Sequence, residues 1–275
     1  MKTKVISIMS QKGGVGKSSI TNSVILDLSM KLLLKEKRQP RILLIDADAQ
    51  ASVYLMRKKE VALLQLKPEG KEFQALDKSA QLATNEMRKQ LEALHAVVGW
   101  NCLKNYEIYR LDLDNVEKSL QSAMAYIDSE EYDYVFIDMP GTVYQQGTGE
   151  LFERIEHLFV PVQISNYDVE SVLEFSNLLD RLELRDNLKT LKYVFNKFQI
   201  IRKDRYDEIE RELLLLTGIQ FVKTKIKDTS FFPSRGYNTL MPCNYRINLN
   251  TGGLVHNTKV SNIGDFTSEL LQLTK

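Results

Sequence analysis

The stretch Gln11-Lys-Gly-Gly-Val-Gly-Lys-Ser-Ser19 constrains the fold of this chain more than any other sequence feature. It follows the apolar, β-branched run Lys4–Met9, which predicts a buried strand. It precedes a helical spacing of apolar residues that runs from Lys17 to about Leu34. A glycine-rich turn at such a junction gathers backbone N–H groups and a helix N-terminus, which together bind phosphate. We therefore expect a nucleotide at the carboxyl end of the first strand.

The residue types in this loop fit the parts of a nucleotide. The three glycines let the backbone turn sharply and approach phosphate oxygens without an intervening Cβ atom. Lys17 can reach the β- and γ-phosphates, and the Ser18 hydroxyl suits Mg²⁺. The predicted ATP-binding residues of the loop are Lys12, Gly13, Gly14, Val15, Gly16, Lys17, Ser18 and Ser19.

One position departs from the ordinary G-x-x-x-x-G-K-[ST] pattern: Gln11 stands where that pattern needs glycine, and Lys12 follows it. The loop resembles that of the deviant-Walker ATPases of the ParA/MinD family, which reads K-G-G-x-G-K-[ST]. In that family the extra lysine reaches the phosphates of a partner subunit. The resemblance implies that Lys12 is catalytic in trans and that the protein forms a homodimer in the ATP state, although a solvated Lys12 is the alternative.

Further apolar runs predict more strands of the same kind. These runs are Arg41–Asp46, Tyr134–Asp138, His157–Val162 and Leu191–Asn196, and helical spacing fits Val169–Leu184 and Tyr206–Leu216. Strands that are apolar almost throughout indicate a parallel sheet covered on both faces. The predicted fold is thus α/β, a doubly wound, mostly parallel sheet with helices on both faces, of the P-loop NTPase type.

No repeat or linker divides the chain, so residues 1–275 are interpreted as a single domain. Residues 57–105 are different, because they are polar, rich in Lys, Gln and Glu, and carry no buried strand pattern. We interpret residues of about 57–115 as a helical elaboration on the sheet, and they match no pattern of the family.

Aspartates end two of the predicted strands, where open α/β sheets bind their ligands. The resemblance makes Asp48 the residue that orients the attacking water and Asp46 a support of the metal shell; Ala49 replaces the usual proline of this motif. A capping or turn role for the pair is the alternative. Asp138 closes an apolar strand as a Walker B aspartate does, so the predicted Mg²⁺ residues are Ser18, Asp46 and Asp138.

Two later segments correspond to the family's purine pocket. The family uses an Asn at the end of the fifth strand for the adenine edge, which makes Asn196 the candidate here. Phe232–Tyr237 falls where the family has a second purine-pocket loop, but a plain surface turn fits that segment as well.

Composition excludes several classes of protein. The net charge of +1 excludes a histone-like basic protein, and the two cysteines, Cys102 and Cys243, form no disulfide framework or metal-ligand pattern. We find no signal peptide and no apolar stretch near the ~18 residues of a membrane span. We expect a cytoplasmic, nucleoid-associated protein with no membrane attachment.

The charges are unevenly distributed along the chain. Residues 1–184 carry 22 basic and 27 acidic side chains, whereas residues 185–275 carry 15 and 9. Arg202, Lys203 and Arg205 cluster at a predicted helix start, and Lys223, Lys225 and Lys227 alternate along an extended stretch, which would put all three on one face. This pattern fits either a solvated surface or a face that binds a polyanion.

Three functions remain for such an ATPase, and a switch that binds ATP but hydrolyses it very slowly stays open beside them. The first is a ParA-type partition ATPase that binds nonspecific duplex DNA in the ATP state, segregates plasmid, mobile-element or chromosomal DNA, and has weak activity stimulated by a ParB-like partner. The second, a MinD-like membrane cycler, is disfavoured because the C-terminal segment has only one basic residue, at its last position. The third, a delivery or metal-transfer ATPase, is disfavoured because neither cysteine has a C-x-x-C neighbour.

Overall fold

A computed structural model describes residues 2–112, 114–141, 148–164, 166–228, 239–242, 244–256 and 262–275. In chain order the elements are β1 (Lys4–Ile8), α1 (Lys17–Glu36), β2 (Ile42–Asp46), α2 (Ser52–Gln65), α3 (Lys71–Gln74), α4 (Lys78–Val98), β3 (Glu107–Arg110), α5 (Val116–Asp128), β4 (Tyr134–Asp138), α6 (Thr148–Glu153), β5 (His157–Val162), α7 (Asn166–Arg181), β6 (Thr190–Phe195), α8 (Lys203–Thr217), β7 (Tyr245–Ile247), β8 (Leu254–His256) and α9 (Ile263–Leu273). A 3₁₀ turn, Ile200–Arg202, leads into α8.

The central sheet has six strands in the order β3-β2-β4-β1-β5-β6, and all its neighbouring strands are parallel. The predicted doubly wound α/β fold is therefore confirmed. Successive side chains of a strand point to opposite faces, so Val5 joins the core that contains α5 to α8, while Ile6 joins the core that contains α1, α4 and α9. Both faces are covered, which explains why the central strands are apolar throughout.

The interpretation of residues 57–115 was wrong in one respect. Helices α2, α3 and α4 occupy most of it, but Glu107–Arg110 forms β3, which pairs with β2 at the edge of the sheet. The outer residues of β3 are exposed and its two central residues are only partly buried. A short edge strand with charged ends has no apolar run by which sequence could identify it.

The prediction that Lys223, Lys225 and Lys227 share one open face is also wrong. Phe221 and Lys227 form only isolated bridges, to Tyr193 and Phe198. Lys225 is not on an open surface: its Nζ atom lies 3.1 Å from Asp207 Oδ1 and 3.3 Å from Glu210 Oε2. It also lies 5.1 Å from the centre of the Phe195 ring, so this lysine stabilises the packing of α8 against the sheet.

A polar network ties α2 to the segment 239–242. Arg57 donates from Nε to Thr239 Oγ1 (2.9 Å) and from Nη2 to the Thr239 carbonyl (2.6 Å) and Asn105 Oδ1 (3.0 Å). The Thr239 amide donates to Glu60 Oε2 at 2.9 Å. Burial raises the pKa of Glu60, and the Arg57 charge acts in the opposite direction. No helix in the described residues is both long and apolar enough to span a bilayer.

Replacing Arg57 with alanine is expected to lower the free energy of unfolding by about 2–4 kcal/mol, because acceptors on Thr239 and the buried Asn105 lose their donors and Glu60 loses a nearby positive charge. Chemical denaturation measures this change. Arg205→Ala is the control, since that arginine pairs with Glu208 on the surface and its loss should cost less than about 1 kcal/mol. Equal effects of the two substitutions would contradict a structural role for the network.

Candidate nucleotide-binding site

The glycine-rich loop connects β1 to α1 and adopts the geometry of an anion site. Gly14 and Gly16 have φ values of 75° and 90°, in the left-handed region that favours glycine. Gly16 directly precedes the 20-residue helix α1, so the first amides of that helix open toward the loop. A Cβ atom on Gly16 would lie 2.8 Å from Asn196 Nδ2, which makes glycine the residue that fits there.

Lys17 supplies the positive charge inside this site. Its Nζ atom donates to the Lys12 carbonyl at 3.2 Å, which holds the ammonium group over the loop. Burial lowers the pKa of Lys17, whereas the nearby carboxylates of Asp138 and Asp48 raise it. The lysine thus sits between the phosphate loop and the strand-end aspartates.

Strand register brings two aspartates together. Asp46 and Asp138 are paired residues of β2 and β4, and the Ala47 amide donates to the Asp138 carbonyl at 3.0 Å. Burial is the main reason why the pKa of Asp138 is raised to about 7; Asp46 and Asp48 act in the same direction, and the Ser18 hydroxyl and Lys17 oppose them. Burial likewise raises the pKa of Asp46 to about 6.

Part of this carboxylate surface accepts no well-formed hydrogen bond. Asp46 Oδ2 accepts the Tyr54 amide at 3.1 Å, but among the described residues Asp46 Oδ1 and both Asp138 oxygens accept no hydrogen bond of normal geometry. Buried carboxylate oxygens left in this way are costly unless a proton or a cation compensates them.

Asp48 lies at the edge of the site. It is half-buried, its Oδ1 atom accepts the Gln50 amide at 2.9 Å, and its carbonyl accepts the Ala51 amide at 2.9 Å. Asp46 and Asp48 both take part in the turn that leads into α2, so the turn role considered from sequence is present. The role of Asp48 in hydrolysis stays a prediction.

Asn196 contacts the loop from the side. Its Nδ2 atom donates to the Val15 carbonyl at 2.7 Å, and the neighbouring Lys197 Nζ lies 3.4 Å from the Gly14 carbonyl. Asn196 therefore supports the loop backbone, and its predicted contact with adenine remains a prediction. Lys197 was not expected at the site; its position directly after Asn196 was the available signal. The predicted purine loop Phe232–Tyr237 lies outside the described residues.

An open pocket of about 680 Å³ lies above these groups, a volume within the usual range for small-molecule sites. Seven predicted residues line it: Gly13, Gly14, Gly16, Lys17, Ser18, Ser19 and Asp48. Five others do not, namely Lys12, Val15, Asp46, Asp138 and Asn196. Asp46, Asp138 and Asn196 are buried behind the lining, whereas the Lys12 side chain is half-buried.

Sequence reasoning missed part of the wall. Ser52 and Met56 of α2 line the pocket together with Ala49 and Gln50. Gly141 lines it too, and a Cβ atom there would lie 2.9 Å from the Gln11 carbonyl. This close approach to the phosphate loop depends on packing between distant segments, which sequence does not reveal.

The comparisons with known proteins agree with this geometry. The family model described as AAA domain matches residues 3–192. The chain belongs to this family. The resemblance to the ParA/MinD ATPases, a family of positioning and partition proteins, is thereby confirmed. A comparison with curated proteins finds no match.

Several solved structures share the fold. A MinC:MinD cell division complex from Aquifex aeolicus matches with a TM-score of 0.60 and 18% identity, over 98% of this chain and 96% of that one. A Cyanothece McdA–ATP complex matches with 0.59 and 17%, over 100% and 98%. A Borrelia burgdorferi plasmid partition protein bound to AMPPNP matches with 0.57 and 19%, over 99% and 98%.

The two raised carboxyl pKa values predict a pH dependence of stability. The folded protein retains protons that the unfolded chain has released, so the nucleotide-free protein should lose stability as the pH rises from about 4 to about 7. Asp138→Asn removes one ionisable carboxyl, and should stabilise the protein at pH 8 by on the order of 2 kcal/mol while flattening this decline.

Denaturation with a chelator present, at pH 5 and pH 8, measures the effect. Asp128→Asn is the control, because that carboxylate is exposed and paired with Arg154, and it should leave the pH profile unchanged. If Asp138→Asn were no more stabilising at pH 8 than at pH 5, the assignment of a strained carboxylate would be wrong.

Proposed function

We propose that this chain is a ParA-type partition ATPase that binds ATP and Mg²⁺, dimerises in the ATP state, and positions DNA cargo through nonspecific contacts with duplex DNA. Its intrinsic hydrolysis is weak and is stimulated by a ParB-like partner. The observation that carries the proposal is the pair of lysines on one glycine-rich loop: Lys17 lies in the pocket wall, and Lys12 lies outside it.

The loop supports binding of a triphosphate. The amides around Gly14 and Gly16 and the N-terminus of α1 supply hydrogen-bond donors and a positive dipole end. Lys17 adds a full charge at the β- and γ-phosphates. Asn196 keeps the loop in this form through the Val15 carbonyl, so the site is organised before the nucleotide arrives.

The residues present fit a bound Mg²⁺ ion. Among the described residues no group of three or more His, Cys, Asp or Glu side chains forms a protein metal cage. Mg²⁺ does not need one, since it commonly binds through one or two carboxylates, waters and substrate phosphates. Ser18, Asp46 and Asp138 would hold it, and the unpartnered oxygens of the two aspartates suit that role. When bound, the ion would neutralise charge on the phosphates.

The hydrolytic step requires a water molecule aligned with the γ-phosphate. The water oxygen bonds to the γ-phosphorus while the bond from that phosphorus to the β–γ bridging oxygen breaks, which yields ADP and inorganic phosphate. Asp48, on the pocket wall, would orient this water. Lys12 of the partner subunit would stabilise the charge that moves to the bridging oxygen, so turnover would need two subunits.

Lys12→Ala is expected to keep most of the ATP affinity of the monomer but to lower turnover by about 100-fold or more, because the charge acts on the partner's nucleotide. Lys17→Ala is the matched comparison, and it should abolish nucleotide binding itself. Fluorescent-nucleotide titration and phosphate release measure the two quantities. Normal turnover by Lys12→Ala would contradict the deviant-loop mechanism.

Four cations remain as candidates for the DNA surface. Lys225 and Arg205 are paired with acidic side chains. The exposed side chains of Arg202, Lys203, Lys223 and Lys227 form no ion pair within the described part of the chain. Dimerisation would place two such sets on one particle, which favours binding of a phosphate backbone.

Asp48→Ala should accumulate as an ATP-bound dimer and bind duplex DNA without sequence preference, with a log–log salt slope of about −0.9 per phosphate contacted. Adding Lys223→Glu and Lys227→Glu should flatten that slope. Lys58→Glu with Lys59→Glu, an equal charge change on exposed positions of α2, is the control and should matter less. Sizing and salt-dependent DNA binding test this.

Two results would contradict the assignment. If Asp48→Ala remains monomeric with ATP, the dimer mechanism is wrong. If the ATP form ignores DNA but sediments with anionic vesicles, the protein is a membrane-cycling ATPase instead.

A further inference from the structure

The turn between β6 and α8 displays two apolar side chains to solvent. Ile200 and Ile201 are 75% and 88% exposed, although isoleucine is among the residue types most often buried. They belong to the 3₁₀ turn that begins α8, at the carboxyl edge of the sheet. Lys197, three residues earlier, lies 3.4 Å from the Gly14 carbonyl, so this turn is next to the phosphate loop.

Hydrogen bonds and aromatic packing hold the turn in place on its buried side. The buried Tyr206 hydroxyl donates to the Lys197 carbonyl at 3.0 Å and accepts the Gln199 amide at 3.1 Å. The Phe198 ring packs on Tyr206 with 4.5 Å between centroids. The Gln199 side chain donates to Asp228 Oδ2 at 2.9 Å. The two isoleucines, whose branched side chains are themselves stiff, are therefore presented on a rigid base.

Basic side chains outnumber acidic ones around them, although Asp204 and Asp228 are also close by. Arg202 and Lys203 follow directly, and both are exposed and form no ion pair within the described residues. Lys227 is brought alongside by its backbone bridge with Phe198. The turn thus combines an apolar tip with a border in which basic side chains predominate, which suits a partner that is anionic at its surface and apolar beneath.

The shape of the turn narrows the choice of partner. Side chains exposed to this degree project from the surface and cannot form a groove for a peptide. A second copy of this chain, packed turn against turn, would bring like charges together. Duplex DNA has phosphates that border a groove and base steps that accept a rigid apolar side chain between flanking cations. A fixed base favours this use, since opening a base step requires a wedge that does not collapse.

We infer that Ile200 and Ile201 form an apolar wedge that enters the groove of duplex DNA and opens a base step, while Arg202, Lys203 and Lys227 bind the adjacent phosphates. The inference rests on the proposed function and specifies how its DNA contact is made. Binding then has two components: a salt-dependent one from the cations, and a salt-independent one from the isoleucines.

The test uses the full chain with Asp48→Ala, ATP and a duplex that carries 2-aminopurine. Binding should raise the fluorescence of this base analogue, because a base step unstacks. Ile200→Ser with Ile201→Ser should lower DNA affinity by about tenfold, keep the salt slope, and remove the fluorescence rise. Arg202→Ala with Lys203→Ala should instead make the log–log salt slope shallower by about the contribution of two phosphate contacts.

Leu215→Ser is the matched control, since Leu215 is 85% exposed near the other end of α8 and should leave both readouts unchanged. If the variant with both isoleucines changed to serine still bound DNA and still gave the fluorescence rise, the wedge would be overturned but the proposed function would stand. If Ile200→Ser with Ile201→Ser abolished binding to anionic vesicles but left DNA binding unchanged, the wedge would be overturned in favour of a lipid partner. Absence of ATP-dependent DNA binding by the parent protein would overturn the proposed function as well.

Discussion

Parallel pairing of the central strands is the constraint on which the site depends. β4 lies between β2 and β1, so the carboxyl ends of three strands meet at one edge. That edge receives Asp46, Asp138 and the phosphate loop from segments that are far apart in the chain. The apolar residues of the strands stabilise this arrangement, and the carboxylates are carried into a buried position that they would not adopt in isolation.

The electrostatics of the edge follow from that burial. Two carboxylates with raised pKa values lie beside Lys17, whose pKa is lowered for the same reason, loss of solvation. Opposite charges offset part of this cost, but unpartnered carboxylate oxygens remain among the described residues. The negative charge that remains uncompensated favours the binding of a cation, which is consistent with the proposed binding of Mg²⁺ with a nucleotide.

Sequence predicted the parts of the structure that depend on local signals. The glycine-rich loop, the apolar strands and the aspartates that end them were readable because each has its own residue pattern. β3 was missed because its four residues have no apolar run, and Lys225 was misjudged because its partners Asp207 and Glu210 lie on another element. The contact of Gly141 with the loop and the contribution of α2 to the pocket depend on tertiary packing, which no spacing rule records.

The position of α2 limits how this protein can change in length. The Tyr54 amide in its first turn donates a hydrogen bond to Asp46, and Ser52 and Met56 line the pocket. Arg57 donates a hydrogen bond to Thr239. A deletion within α2 would therefore remove one side of the nucleotide pocket, whereas no described residue between Gln65 and Pro140 lines it. A change of length is therefore tolerated better in the turn after α2 than in the helix, whose loss would open the nucleotide pocket on one side.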